Sequence, residues 1–202
     1  MNIELYRQTI AAVKPVESSA LAAAYGRLDM LTKPRRSLGY LEDVAARLAA
    51  ILGGSKPSIS NRRVFVFVGD HKVVAEGVSA YPAAVTGLMV KNFLAGGAAI
   101  NVLARRAGAD LEIIDIGMAE DLGARTGLLR LNVKRGADNI ARGPAMSVAE
   151  ALRAVSVGIE RAQLAAGQGV ALMATGEMGI GNTTPAAALL AAYRTPVKAV
   201  SP

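Results

Sequence analysis

The first clear period along the chain is helical. Leu38, Leu41, Val44, Ala45, Leu48 and Ile51 recur at three- and four-residue spacing, which gathers them on one stripe. Residues 1–52 as a whole read as helical, with Ser37 as the expected N-cap of the striped segment and Gly53 as its stop. Residues 53–61, with Ser55, Pro57, Ser58 and Ser60, read as a connection.

The period then changes. Val64-Phe65-Val66-Phe67-Val68 is an unbroken β-branched and aromatic run ending at Gly69-Asp70-His71, so it reads as a strand buried on both faces, as in a parallel sheet. Helical spacing returns over residues 83–107, interrupted at Gly96-Gly97, and residues 111–116 read as the next strand; together they make a βαβ unit. Residues 117–146 show little period, and a loop of that length in a compact domain is usually functional or packed on a neighbour. Ser147-Val148-Ala149-Glu150 is a capping-box signature that opens a helix running to about Gly167. Residues 170–174 form the third expected strand, a glycine-rich turn follows, and residues 185–190 are helix-forming. There is no internal repeat. The pattern predicts an α/β fold: a parallel-sheet, three-layer, Rossmann-like domain over residues 61–202, preceded by a small helical part over residues 1–60.

Composition narrows the chemistry. The 202 residues are 52% hydrophobic with only 4% aromatics, and 21 glycines suit close packing of helices on a sheet. Zero cysteines exclude disulfides, thiolate catalysis and Cys-ligated metals, and they fit a cytoplasmic protein; a single His argues against a His-rich metal site. The first residues lack a basic segment followed by an apolar run, and no apolar stretch of spanning length is free of charges, so neither export nor a membrane is expected. The net charge of +7 raises nucleic acid as a partner, yet Lys33, Arg35, Arg36, Arg62, Arg63, Arg105, Arg106, Lys134 and Arg135 are scattered and not interleaved with aromatics. A solvated basic surface or an anionic substrate accounts for the charge equally well.

The clearest local chemistry lies in Gly176-Glu177-Met178-Gly179-Ile180-Gly181-Asn182-Thr183-Thr184. Gly176, Gly179 and Gly181 allow close approach to a ligand, and the helix that follows presents unpaired N–H groups and the positive end of its dipole, which together suit a phosphate. Asn182, Thr183 and Thr184 can cap that helix or donate to phosphate oxygens. The spacing is neither a full dinucleotide fingerprint nor a P-loop, and the bland alternative is a tight strand-to-helix turn that binds nothing. Glu177 suits a ribose hydroxyl or ring nitrogen better than a phosphate. Asp70 and His71, at the carboxyl end of a strand, either position a substrate and move a proton or form a structural pair. Met89, Met118 and Met178 either line a flat pocket or belong to the core.

Several separate stretches carry a resemblance. They are Leu31-Thr32-Lys33-Pro34-Arg35-Arg36-Ser37-Leu38-Gly39-Tyr40-Leu41-Glu42; Gly69-Asp70-His71 with residues 75–82; Asn92-Phe93-Leu94-Ala95-Gly96-Gly97 with residues 98–101; and residues 176–184. In this order they resemble the nicotinate-nucleotide:dimethylbenzimidazole phosphoribosyltransferase family, from about residue 20 to about residue 192. The resemblance implies a homodimeric α/β enzyme without cofactor or metal that moves the phosphoribosyl group of nicotinate mononucleotide onto 5,6-dimethylbenzimidazole, giving α-ribazole phosphate for the lower ligand of cobalamin. It places the nucleotide on Gly176, Gly179, Gly181, Asn182, Thr183 and Thr184, Glu177 near the reacting groups, and the base against Asp70, His71, Ser79 and Met178. Lys72 stands where the family usually has Gly, and Arg35-Arg36 where it usually has Pro-Gly. The family is longer at its C-terminus and carries its general-base glutamate there. The resemblance therefore leaves three readings: a split enzyme completed by a partner chain, a non-catalytic module binding the nucleotide or benzimidazole, and a structural fragment.

Overall fold

In the computed structural model, which describes residues 3–54 and 56–193, the strand run at residues 64–68 lies in β1 (Arg62–Gly69). Its alternation is used on both sides. Val66 and Val68 pack with Val90 and Phe93 of α4 (Val85–Leu94), with Ala98 just before α5 (Ala99–Ala107), and with Ile113 of β2 (Asp110–Gly117). Phe65 points the other way and packs with Ile114 of β2 and with Val157 and Ala165 of α6 (Val148–Gly167). A sheet buried on both faces and two opposed helical layers make the expected three-layer α/β architecture.

The sheet is parallel throughout, in the order β3-β2-β1-β4, with β3 at Leu128–Arg130 and β4 at Leu172–Met178. Two departures from the sequence reading follow from backbone pairing that leaves no apolar period. Residues 117–146 contain the three-residue β3, held to β2 by main-chain bonds. The third expected strand ends four residues later than residue 174, because Gly176, Glu177 and Met178 continue the ladder opposite Val66, Phe67 and Val68.

The helical part comprises α1 (Ile3–Ala12), α2 (Ser18–Asp29) and α3 (Tyr40–Leu52), with α1 against α6 and α2 against α3. Gly53 ends α3 as expected, at φ 72°. The N-cap position is Gly39 at φ 56° and not Ser37, because Glu42 reaches back from inside the helix and accepts the Leu38 N–H at 3.1 Å. Glu42 is buried and paired with Lys33 at 2.9 Å. Arg36 lies over the Tyr25 ring, 4.5 Å from its centre, and bonds Asp43 at 2.8 Å, so this departure from the family pattern ties α2 to α3. The predicted capping box forms in full at α6: Ser147 Oγ accepts the Glu150 N–H, and Glu150 Oε2 accepts the Ser147 N–H at 2.7 Å.

Val85–Ala107 is long and apolar enough by composition to cross a membrane, with a mean hydropathy of 1.3. It is two helices, α4 and α5, separated by residues 95–98 and packed on the sheet.

Candidate functional site

β1 connects to β2 through α4 and α5 on one face, and β3 connects to β4 through α6 on the other. The chain thus changes direction between β1 and β4, and a crevice beyond the carboxyl ends of strands at such a point is where open α/β sheets bind ligands. Three segments meet there. After β1 come Asp70, His71 and a 3-10 helix (Lys72–Glu76); after β4 comes the glycine turn leading into α7 (Thr183–Ala192). The third segment is a strap formed by residues 131–138. Its N–H groups at Leu131, Val133 and Gly136 donate to carbonyls at the end of β2, and Ala137 then exchanges bonds with Asp70 and Lys72 at 2.8 and 3.0 Å.

The glycines of the turn are required by packing between these segments. A side chain on Gly179 would run into the Gly69 carbonyl and stand 3.1 Å from the His71 ring. Gly181, at φ 83°, faces the 3-10 helix, and a Cβ there would stand 2.7 Å from Val74. The turn is also tied to α4, where the buried Thr86 hydroxyl accepts the Ile180 N–H at 3.1 Å. Asn182 holds the N-cap position without a side-chain cap bond, leaving its amide unspent at the helix start.

Beside this turn, a cavity of about 500 Å³ opens between β1, α4 and the strap. Its polar residues are Asp70, His71, Lys72 and Glu120, and alanines supply most of the rest of the wall. Asp70 Oδ2 accepts the Ala119 N–H at 2.8 Å, while Oδ1 is buried without a partner. Burial pushes the His71 imidazole below its ordinary value, against the opposing pull of Asp70 and Glu177, so the neutral ring is favoured. Lys72 bonds Asp138 on the strap at 2.7 Å. Hydrogen bonds from Lys134 and then Lys72 hold the Asp138 carboxyl down to about 2. The lysine that departs from the family pattern therefore ties the strap to the cavity rim.

The sequence-derived candidates fall into three groups. Asp70 and His71 line the cavity, and His71 also touches the turn at Gly179. Gly179, Gly181, Asn182, Thr183 and Thr184 form the turn and the start of α7, whereas Gly176, Glu177 and Met178 lie in β4 and not in a turn. Met178 and Met89 pack on the Val66–Val90 cluster, and Met118 is buried within it. Ser79 Oγ accepts the Tyr81 N–H in the loop before α4, next to Val78, whose side chain lies 3.7 Å from a Cβ built on Gly181. Sequence reasoning missed Thr86, Glu120 and the strap. Of these, only Thr86 carried a signal, as a hydroxyl in the opening turn of an apolar helix.

A family model described as phosphoribosyltransferase matches residues 13–201. Nicotinate-nucleotide–dimethylbenzimidazole phosphoribosyltransferase from Chlorobaculum parvum is 54% identical over 184 residues, covering 91% of this chain and 52% of the relative. The protein of that name from Geobacter sulfurreducens is 50% identical over 198 residues, covering 98% of this chain and 56% of the relative. The crystal structure of the Thermus thermophilus protein of that name superposes with a TM-score of 0.83 at 52% identity, over 87% of this chain and 53% of that one. The chain spans about half the length of these relatives.

Proposed function

This chain belongs to the nicotinate-nucleotide–dimethylbenzimidazole phosphoribosyltransferase family, and on that premise we propose that it takes part in phosphoribosyl transfer from nicotinate mononucleotide to 5,6-dimethylbenzimidazole. The observation that carries the reading is the junction of the glycine turn with Asp70 and His71. The turn that leads into α7 adjoins a largely apolar cavity, and the His71 ring both lines that cavity and lies against Gly179 of the turn. The donor phosphate sits on the N–H groups of Gly181 and Thr183, since those of Asn182 and Thr184 already donate to the Gly179 and Gly181 carbonyls, together with the Asn182 amide and the two threonine hydroxyls, where the helix dipole favours negative charge. Gly176 gives the strand a side without bulk as the chain nears the turn. The acceptor ring enters the cavity past Asp70 and His71, whereas Ser79 and Met178, expected beside it, are not among the residues that line it.

In the reaction, an acceptor ring nitrogen bonds to the anomeric carbon as the bond to nicotinate breaks, and the bonding pair leaves with the pyridine nitrogen. The transition state carries oxocarbenium character, so a nearby carboxylate stabilises it. Glu177, at the carboxyl end of β4 and within the electrostatic reach of His71, is the carboxylate we assign near the reacting groups. Holding the two rings in line is the larger task of the protein.

A partner surface supports the same reading. Leu172 is 40% exposed in the edge strand β4, and Leu189 and Leu190 on α7 and Tyr193 just after it are exposed, which suits a second chain that continues the sheet. A homodimer contact through the exposed Tyr40, Leu41 and Ile51 of α3 is the alternative surface. We place the reaction in the cytoplasm, in keeping with a cysteine-free chain.

The test is incubation of the purified chain with nicotinate mononucleotide and dimethylbenzimidazole. Formation of α-ribazole phosphate supports the reading. Nucleotide binding without product would leave a binding module or one half of a two-chain enzyme, and loss of both in a folded chain would leave a structural fragment. Gly181→Asp is a poor probe of the anion site because of Val74. Thr184→Asp at the start of α7 puts the negative charge there without that collision.

A further inference from the structure

We propose that Thr86 is a positioning residue that couples the cavity to the glycine turn: through its bond to Ile180, an occupant of the cavity tightens nucleotide binding at the turn, and the reverse. The proposal rests on the turn being the nucleotide site and the cavity the acceptor pocket. Thr86 stands in the opening turn of α4, where its neighbours Ala83, Ala84 and Gly87 line the cavity. A threonine early in a helix commonly spends its hydroxyl on its own backbone. Thr86 is instead 1% exposed, and its hydroxyl accepts the Ile180 N–H at 3.1 Å from a segment 94 residues away. A hydroxyl buried in a largely apolar helix is costly unless it is bonded, and this N–H is the partner it has.

The construction of the turn makes that bond decisive. The N–H groups of Asn182 and Thr184 donate to the Gly179 and Gly181 carbonyls, within the turn itself. Gly179 against Gly69 and His71, and Gly181 against Val74, are close contacts that set space without setting direction. Among the described residues, the Ile180 bond is the one hydrogen bond that residues 180–182 send to another element. It fixes the plane of the peptide between Gly179 and Ile180, and with it the direction of the N–H groups of Gly181 and Thr183. Gly181, at φ 83°, has the freedom to turn away once that plane is released. Ordering the turn is a cost that falls on the nucleotide when it binds alone. A ring seated against Ala83, Ala84 and Gly87 holds the opening turn of α4, and hence Thr86, in advance, so the second ligand meets less of that cost. Linkage makes the effect equal in the other direction.

The test is calorimetric titration of nicotinate mononucleotide into the full chain, alone and with 5,6-dimethylbenzimidazole at saturation. The wild type should bind the nucleotide about five-fold more tightly with the benzimidazole present, at the low end of couplings between sites. Thr86→Val keeps the shape and removes the acceptor. It should bring that ratio to about one and weaken the nucleotide alone about five-fold, the size of one hydrogen bond, while the benzimidazole alone binds as before. Thr86→Ser should restore the ratio, and Thr86→Ala, a second variant without the hydroxyl, should match Thr86→Val. A merely structural role for Thr86 would lower the unfolding midpoint and leave the ratio as in the wild type; a ratio so retained in Thr86→Val and Thr86→Ala, with both ligands bound, overturns the assignment of Thr86. A ratio of one in the wild type, with each ligand bound alone, overturns the coupling and leaves the two subsites standing. Failure of the wild type to bind either ligand overturns the reading of the site and this proposal with it.

Discussion

β2 and β4 flank the same strand and are paired to it over comparable lengths, yet one is embedded and the other open. On the β2 side, Ile113 and Ile114 are 3% and 0% exposed beneath helices on both faces. On the β4 side, residues 172, 174, 175 and 177 are exposed despite an unbroken ladder to β1 from Arg62 to Val68. Backbone pairing thus sets where the glycine turn is delivered, while the burial that stabilises the domain is concentrated on the other side of β1. The two halves of the candidate site inherit this difference. Asp70 and His71 rise from the packed half; the glycine turn hangs from the open half and is held by Gly179 on Gly69, Gly181 on Val74, and Ile180 on Thr86.

The sharpest break is between cores. Ile114→Ala empties a fully buried position and should cost about 2–5 kcal/mol in urea unfolding, whereas Leu190→Ala on the exposed face of α7 should stay within about 0.5 kcal/mol. A comparable loss at Leu190 would mean that the open half is covered in solution, and its dependence on protein concentration would then reveal the partner.

Next is the hinge between the halves. Gly179→Ala forces a methyl into the Gly69 carbonyl, a backbone atom with no freedom to swing aside, and should cost about 1–3 kcal/mol. Calorimetric titration with nicotinate mononucleotide should show binding lost together with the fit of the turn. Unchanged affinity would separate the nucleotide site from this turn.

Thr86 tests the same join more gently. Thr86→Val keeps the shape and removes the acceptor of the Ile180 N–H, for about 1 kcal/mol, and Thr86→Ser should restore most of it. Hydrogen exchange should place the added mobility at residues 179–182 and leave β2 unaffected. Exchange rising equally in β2 would show that the halves are one cooperative unit.

The packed half was legible because burial writes itself into sequence. The run Val64–Val68, the interruption at Gly96-Gly97 and the Ser147–Glu150 box each appear as a period or a cap, and each is found in place, whereas the stripe from Leu38 to Ile51 marks the helix α3 without marking a buried face: Leu38 precedes the helix, and Leu38, Leu41, Val44 and Ile51 are exposed. The open half was read one segment out. Gly176, Glu177 and Met178 looked like turn because glycine and glutamate interrupt an apolar run, but a strand paired on one edge and bare on the other needs no apolar period. The strap and β3 are held by main-chain bonds to β2 and to residues 70–72, which any residue type can make, and so they left no mark. Glu120 was invisible for another reason: its seat is the missing side chain of a glycine 33 positions earlier in the chain. The lysine and arginine that depart from the family pattern near the expected site are spent on Asp138 and on Tyr25 with Asp43.

The smallest effect expected is on acidification, and it separates the crevice from the strap. Burial lowers the His71 pKa below 6.5, so the unfolded chain takes up a proton on acidification before the native chain does. Stability that is present above about pH 6.5 should therefore decline as the pH falls through that value, and His71→Asn should flatten this part of the profile. Asp138 behaves as a depressed carboxyl. Its contribution is present above its ordinary value of 3.8 and is lost only as the pH falls toward about 2. Unfolding midpoints between pH 8 and pH 2 should accordingly show two separate declines, the upper removed by His71→Asn and the lower reduced by Asp138→Asn, since Glu42, Asp43, Glu76, Asp121 and Glu150 are also held below their ordinary values. If Asp138→Asn also removes the upper decline, the strap and the imidazole titrate as one unit, and the neutral His71 ring depends on strap closure as well as on its burial between β1 and the glycine turn.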